Sequence, residues 1–258
     1  MMGAVFALPG PTFAQQLSAS TPHDSYVRHS SALAVYYGRG MYGQEFPTHV
    51  RYLPYTHEVS IPGWRFKGTV PVLEIDGPGN VLIDIGSVSR ASTGLIAERG
   101  VGDLVLSVTR ELPAMSNKIP FIDFTVDLKL PSADEARGLG TGRPEAGVQL
   151  DLYQNLGSAT LFAAVGYRYR HRSPVFEGLK DSINLSLGIS RLISERWQSG
   201  LIYDFRQAAS SFSGETHEVL PYLSWTPSQQ WSLMIYIVKG FTDDSADRAA
   251  GVQMTRRW

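Results

Sequence analysis

The feature that most constrains this chain is a two-residue alternation of apolar and polar side chains, which recurs from about residue 31 to the last residue. Helical 3.6-residue spacing is nowhere sustained. Ile122, Phe124, Val126, Leu128 and Leu130 fall on one face of an extended segment, with Asp123, Thr125, Asp127 and Lys129 on the other. Ile183, Leu185, Leu187 and Ile189 alternate in the same way with Asn184, Ser186, Gly188 and Ser190. Successive side chains of a strand point to opposite faces, so each segment carries one apolar and one polar wall.

Strands are expected near 31–38, 47–56, 63–74, 102–111, 119–130, 145–154, 158–170, 181–192, 196–207, 215–226, 229–241 and 247–258. That is about twelve, an even number, and most exceed the roughly 9–11 residues that a tilted strand needs to cross a bilayer. The connections sort by length. Short ones fall at 59–62, 113–118, 155–157, 193–195 and 227–228, and longer polar ones at 38–46, 76–101, 131–144, 171–180, 208–214 and 242–246. Tight turns at one end and long loops at the other define an antiparallel up-and-down transmembrane β-barrel, with periplasmic turns and extracellular loops. A soluble sandwich has no reason to sort its loops in this way.

Composition agrees. No run approaches 18 apolar residues and the mean hydropathy is −0.10, which excludes a transmembrane helix but not barrel strands, whose alternation averages out. The absence of Cys excludes a disulfide scaffold and a Cys-ligated metal. A net charge of −1 gives no basic surface for nucleic acid. With strand directions set by the loops, Trp64, Trp197, Trp225, Trp231 and Trp258, all the Trp residues of the chain, land at the short-turn end as a membrane-interface belt. Tyr36, Tyr167, Tyr169, Tyr203, Phe205 and Phe241 land near the other end. The final strand closes on Trp258, the aromatic ending that bacterial barrel-assembly machinery is expected to read, although Arg256 interrupts its apolar face.

Residues 1–14 read as a truncated signal peptide: a short apolar stretch before Thr12-Phe13-Ala14, with no Lys or Arg ahead of it. An apolar N-terminal strand is the other reading. Residues 15–30 read as a mobile N-terminal segment and 31–258 as the barrel.

The residues offer little chemistry. His23, His29, His49, His57, His171 and His217 form no HExxH or other paired-ligand spacing, and His217 and Glu218, being adjacent in a strand, face opposite sides. No GxSxG supports a hydrolase. Gly138-Leu139-Gly140-Thr141-Gly142 looks like a phosphate loop, but it precedes a strand and lacks the closing Gly-Lys-Ser/Thr, so a turned extracellular loop is expected there. No catalytic residue, metal or cofactor is implied.

The polar wall carries the most information. If the apolar faces meet lipid, the lumen is lined by Arg65, Lys67, Asp103, Asp123, Asp127, Lys129, Asp151, Arg168, Arg170, Asp204, Arg206 and Arg257, five acids and seven bases. These form either a salt-bridged filling or a narrow wet passage. Arg168, Arg170 and Arg206 lie near the outer end, so the outer third of the lumen is expected to be locally positive. The long loop at 76–101 either folds inward as a constriction or lies at the surface, where loops usually run.

Several segments resemble a known group: GDLVLSVTREL at 102–112, DFTVDLKLPSADEARGLGTGRPEAGVQLDLYQNLG at 123–157, GYRYR at 166–170, HEVLPYLSW at 217–225 and IVKGF at 237–241. They resemble the proteobacterial outer-membrane transporters grouped with the MetA pathway of phenol degradation. The resemblance covers about residues 31–258 and implies an outer-membrane barrel, but no substrate.

The expectation is therefore a monomeric barrel of the bacterial outer membrane, passively admitting small solutes, aromatic or apolar ones included. Its partners would be outer-membrane lipid and, through the last strand, the barrel-assembly machinery. The alternatives are a filled structural or adhesive barrel, an outer-membrane hydrolase, and a soluble lipocalin-like barrel with its apolar face inward.

Overall fold

The computed structural model describes residues 27–78, 82–83, 87–88, 95–112, 120–171 and 178–258. The expected signal peptide at 1–14 lies outside these residues, as does the lead-in up to residue 26. The strands are β1 (Arg28–Gly40), β2 (Thr48–Ile61), β3 (Trp64–Pro78), β4 (Leu82–Ile83), β5 (Ser87–Val88), β6 (Leu95–Val101), β7 (Leu104–Leu112) and β8 (Phe121–Leu130). They continue with β9 (Glu145–Leu156), β10 (Ala159–Arg170), β11 (Ser182–Ser194), β12 (Trp197–Arg206), β13 (Thr216–Trp225), β14 (Trp231–Gly240) and β15 (Arg248–Arg257).

β4 and β5 pair only with each other, and the other thirteen form one antiparallel sheet. Pairing of β1 with β15, from Ser30↔Arg257 to Arg39↔Arg248, closes it into a barrel. β6 and β7 follow one another along β3, so they form a single stave broken at Gly102 and Asp103, and the barrel has twelve staves. The break lies beside Pro71, whose carbonyl accepts from Gly102 N at 2.9 Å. Proline cannot donate to the ladder, which places it at irregularities of this kind. A Cβ on Gly102 would meet Leu73 Cδ1 at 2.8 Å and Pro71 Cγ at 3.0 Å, so a larger residue there would displace the Leu73 side chain.

The barrel and its loop sorting are as the sequence predicts, with one correction. Residues 95–101, expected within the second long loop, are strand β6, because β3 runs on to Pro78 and offers its upper edge as a partner. Facing is inverted relative to a soluble protein. Leu106, Val108, Phe124, Val126, Leu128, Leu185 and Leu187 are exposed on the outer wall, while Asp123, Lys129, Asp151 and Ser186 are buried inside. Burial of the polar wall excludes the lipocalin-like alternative.

All five Trp side chains are exposed at the short-turn end. Trp197 and Trp225 are cross-strand neighbours with ring centroids 5.9 Å apart. Arg256, which breaks the apolar alternation of the last strand, lies 5.5 Å from the Trp231 centroid and 5.7 Å from that of Trp258. An interfacial cation resting on indole faces needs no place in the hydrocarbon. At the other end Tyr37, Tyr167, Tyr169, Tyr203 and Phe241 are exposed. Tyr36, expected in that belt, points inward and is only 4% exposed. Tyr36 and Tyr37 are consecutive, so β1 carries a tyrosine on each face and composition alone could not assign the register.

Candidate functional site

The barrel interior has two unlike walls. From β3 through β11 it is charged and polar, and most of the ions are paired across strands. Arg65 bonds Asp123 and stands 3.0 Å from Glu111. Arg168 lies 3.1 Å from Asp127. Asp151, opposite Asp123 in the register, accepts from Gln149 at 2.8 Å. Lys67 is half-buried beside Arg65, with Glu58 as its register partner. Near the outer rim Lys129 Nζ lies 2.9 Å from Asp103 and 2.5 Å from Glu145, and it donates to Thr141 Oγ1 at 2.8 Å. Arg170 completes the cluster, 3.5 Å from Glu145 and donating to Ser182 Oγ at 2.6 Å. Two acids and two bases cancel there.

Around β12 and β13 a second cluster closes. Arg206 lies 2.9 Å from Asp204, which accepts from Ser186 at 2.7 Å. Glu218, fully buried, accepts from Ala246 N at 3.1 Å. His217, next in sequence, is on the outside against Tyr203. Arg257, near the short-turn end, donates to Ser232 Oγ at 3.3 Å.

These pairs correct the expected positive outer lumen: Arg168, Arg170 and Arg206 are each matched by a carboxylate. The sequence reading missed Glu58, Glu111, Glu145 and Glu218, whose addition makes the inner acids more numerous than the bases. Parity would have found Glu111, in step with Ser107 and Thr109, and Glu145, in step with Gln149 and Asp151, but not Glu58 and Glu218, which are in step with Tyr52 and Leu220.

From β12 through β15 to β3 the inner wall also carries an apolar and aromatic cluster, set between the Asp204, Arg206 and Glu218 group and Arg257. Tyr36, Tyr52, Leu73, Tyr222, Met234 and Tyr236 belong to one buried cluster. Tyr222 lies over Gly200 of the next strand, where a Cβ would fall 2.5 Å from its Cζ, so glycine lets the ring lie flat against the wall. The sequence carried a sign of this wall: the LPYLSW and SLMIYIV segments are apolar at both parities, which leaves one apolar side for the interior.

Three loops fold over the outer mouth. Tyr42, Leu139 and Ala246 all join the buried cluster. Burial, with Glu218 adding to it, pushes the Tyr42 phenol well above its ordinary pKa, so it stays neutral. The loop carrying Leu139 is shaped by a single 3₁₀ turn at Glu135–Arg137, capped by Asp134 and ended by Gly138 at φ 71°. Arg137 ties it to β6 through Glu98 at 2.9 Å and the Arg99 carbonyl at 2.7 Å. Gly138 to Thr141 are buried, so this glycine-rich loop folds inward. Residues 79–81, 84–86 and 89–94, in the middle of the loop that sequence reading left open between lid and surface, lie outside the described residues. At the rim, Asp181 is held below the usual carboxylate range by the Tyr167 hydroxyl at 2.5 Å and the Arg170 N–H at 2.9 Å.

Accessibility falls along the axis. The Arg65 and Glu111 side chains, near the short-turn end, are 20% and 30% exposed, whereas Lys129 and Arg170 are 3% exposed. The charged interior is thus more accessible at the short-turn end than beneath the described parts of the outer loops.

A closed antiparallel sheet with an apolar outside, a polar and aromatic inside, and a Trp belt defines an outer-membrane-type β-barrel. Solved structures agree on the fold. An outer membrane channel from Pseudomonas putida F1 superposes with a TM-score of 0.68 at 12% identity, covering 93% of this chain and 98% of that one. The NanC porin gives 0.54 at 8% identity over 87% and 97% of the two chains, and the KdgM porin 0.53 at 11% over 87% and 98%. Within this class the chain belongs to the family described as "Putative MetA-pathway of phenol degradation", whose profile matches residues 47–258. A search of curated proteins finds no match.

Proposed function

We propose that the protein is a passive channel of the bacterial outer membrane for small solutes that combine an aromatic or apolar part with a polar one. The observation that carries this reading is the division of the interior into a tyrosine-rich side and a charged side on which most ions are already paired. A solute crossing it meets apolar ring faces on one side and hydrogen-bonding groups on the other. The superposed outer membrane channel and porins support the same reading through the fold. Passage rather than catalysis is proposed on the strength of that fold likeness. Outer-membrane lipid and the barrel-assembly machinery are the proposed partners, and the proposed working unit is a monomer.

Two results are expected. Expressed with a complete signal, the protein fractionates with the outer membrane, resists carbonate extraction and runs faster on a detergent gel when unheated; recovery as a soluble protein without detergent contradicts the location. In planar bilayers the purified protein conducts, and Leu139→Gly, which removes a buried plug side chain from the outer mouth, increases its conductance. Absence of conductance in both proteins would leave the filled structural barrel as the correct description.

A further inference from the structure

Two histidines that sequence spacing does not connect meet on the outside of the barrel. His29 of β1 and His57 of β2 are diagonal outward neighbours, since Ser31 pairs with His57 and His29 with Val59. His29 Nδ1 stands 3.4 Å from His57 Nε2. That is beyond the usual range for a hydrogen bond donated by nitrogen. It is the separation of two ligands bonded at about 2.0–2.1 Å in a tetrahedral site, which stand about 3.4 Å apart.

The second nitrogen of His57 is already held, with Nδ1 3.0 Å from Ser31 Oγ, and Ser31 Oγ is 2.9 Å from Tyr55 OH. A ring whose far nitrogen is fixed by a hydroxyl has the outer-shell support typical of a metal ligand, leaving Nε2 as the donor atom. Trp258 of the adjoining closing strand covers the pair, with its ring 6.3 Å from His29 and 6.0 Å from His57. His29 and Trp258 also exchange backbone hydrogen bonds of 3.1 and 3.0 Å, so the site lies on the seam where the barrel closes. Both rings are half-buried, which leaves room for water on the remaining coordination positions. Among the described residues no third His, Cys, Asp or Glu completes a larger cluster.

We propose that His29 and His57 form a two-histidine site for a first-row divalent transition-metal ion, Zn2+ or Cu2+, which bridges β1 to β2 beside the closing strand. Imidazole pairs suit these ions rather than Mg2+ or Ca2+. The indole of Trp258 makes the site self-reporting, because bound Cu2+ quenches an adjacent ring.

The test uses untagged full-length protein in detergent, with Zn2+ followed by titration calorimetry and Cu2+ by tryptophan emission. One ion per barrel is expected from each, with no response to Mg2+. His29→Ala and the conservative His57→Gln should each weaken binding at least about tenfold, the lower bound for losing even an outer-shell partner. Trp258→Phe should keep the Zn2+ signal but lose the Cu2+ quench, and His171→Ala, on the outer loop, should change neither. Heat-dependent gel mobility verifies folding of each variant. Absence of binding to the wild type, or unchanged affinity in the His29→Ala/His57→Gln double variant, overturns the site.

Discussion

Replacing Lys129 with Met is expected to destabilise the barrel by about 3–5 kcal/mol, the usual consequence of removing one partner from a buried ion cluster. Lys129 is 3% exposed and is the closest cation to both Asp103, at 2.9 Å, and Glu145, at 2.5 Å. Without it, Asp103 loses its ion pair and Glu145 keeps Arg170, 3.5 Å away. The methionine fills a similar volume, so the loss reports charge rather than packing. The same change removes the donor that holds Thr141, and with it one tether of the inward loop. Unfolding in urea from lipid vesicles measures the first effect, and a rise in conductance the second. Adding Glu145→Gln to Lys129→Met removes an uncompensated charge and should recover part of the lost stability. A single variant within about 1 kcal/mol of the wild type would show that this cluster is hydrated rather than buried.

The opposite face of the same strand gives the second large effect by another route. Val126 points outward and is 46% exposed at the middle of β8. Val126→Arg should cost about 2–4 kcal/mol, as a basic side chain does on the lipid face near the bilayer midplane. The expected control is Val126→Ala, which keeps an apolar surface toward lipid and should fold in normal yield. If Val126→Arg folds in vesicles as well as Val126→Ala, that wall does not face hydrocarbon. Taken together, Lys129→Met and Val126→Arg test both sides of one strand, because a one-residue register error would exchange their environments.

The two-residue period was enough to read a barrel because it is a local property. Asp123 to Leu130 alternates on its own, whatever the rest of the chain does, and turn lengths then order the strands. The family segments followed from the same stretches. Where both parities were apolar, as around Leu220 to Trp225, the pattern carried no facing, and the tyrosine wall was not seen. The second long loop was overextended to residue 101 because β6 exists through its pairing with the upper half of β3 and its ties to Arg137.

The sequence by itself determined the architecture: the class of fold, the number of staves, their direction, the Trp belt and the inner position of residues such as Asp123, Lys129 and Arg168. Tertiary structure alone decided which charges meet, since Lys129 finds Asp103 and Glu145 only once β7, β8 and β9 are in register. Closure likewise brought His29, His57 and Trp258 to one place, although the first and last are separated by almost the whole chain. The physical reason is that alternation encodes which side of a sheet a residue occupies, whereas its neighbours across the sheet depend on strand stagger and on the closing of the barrel.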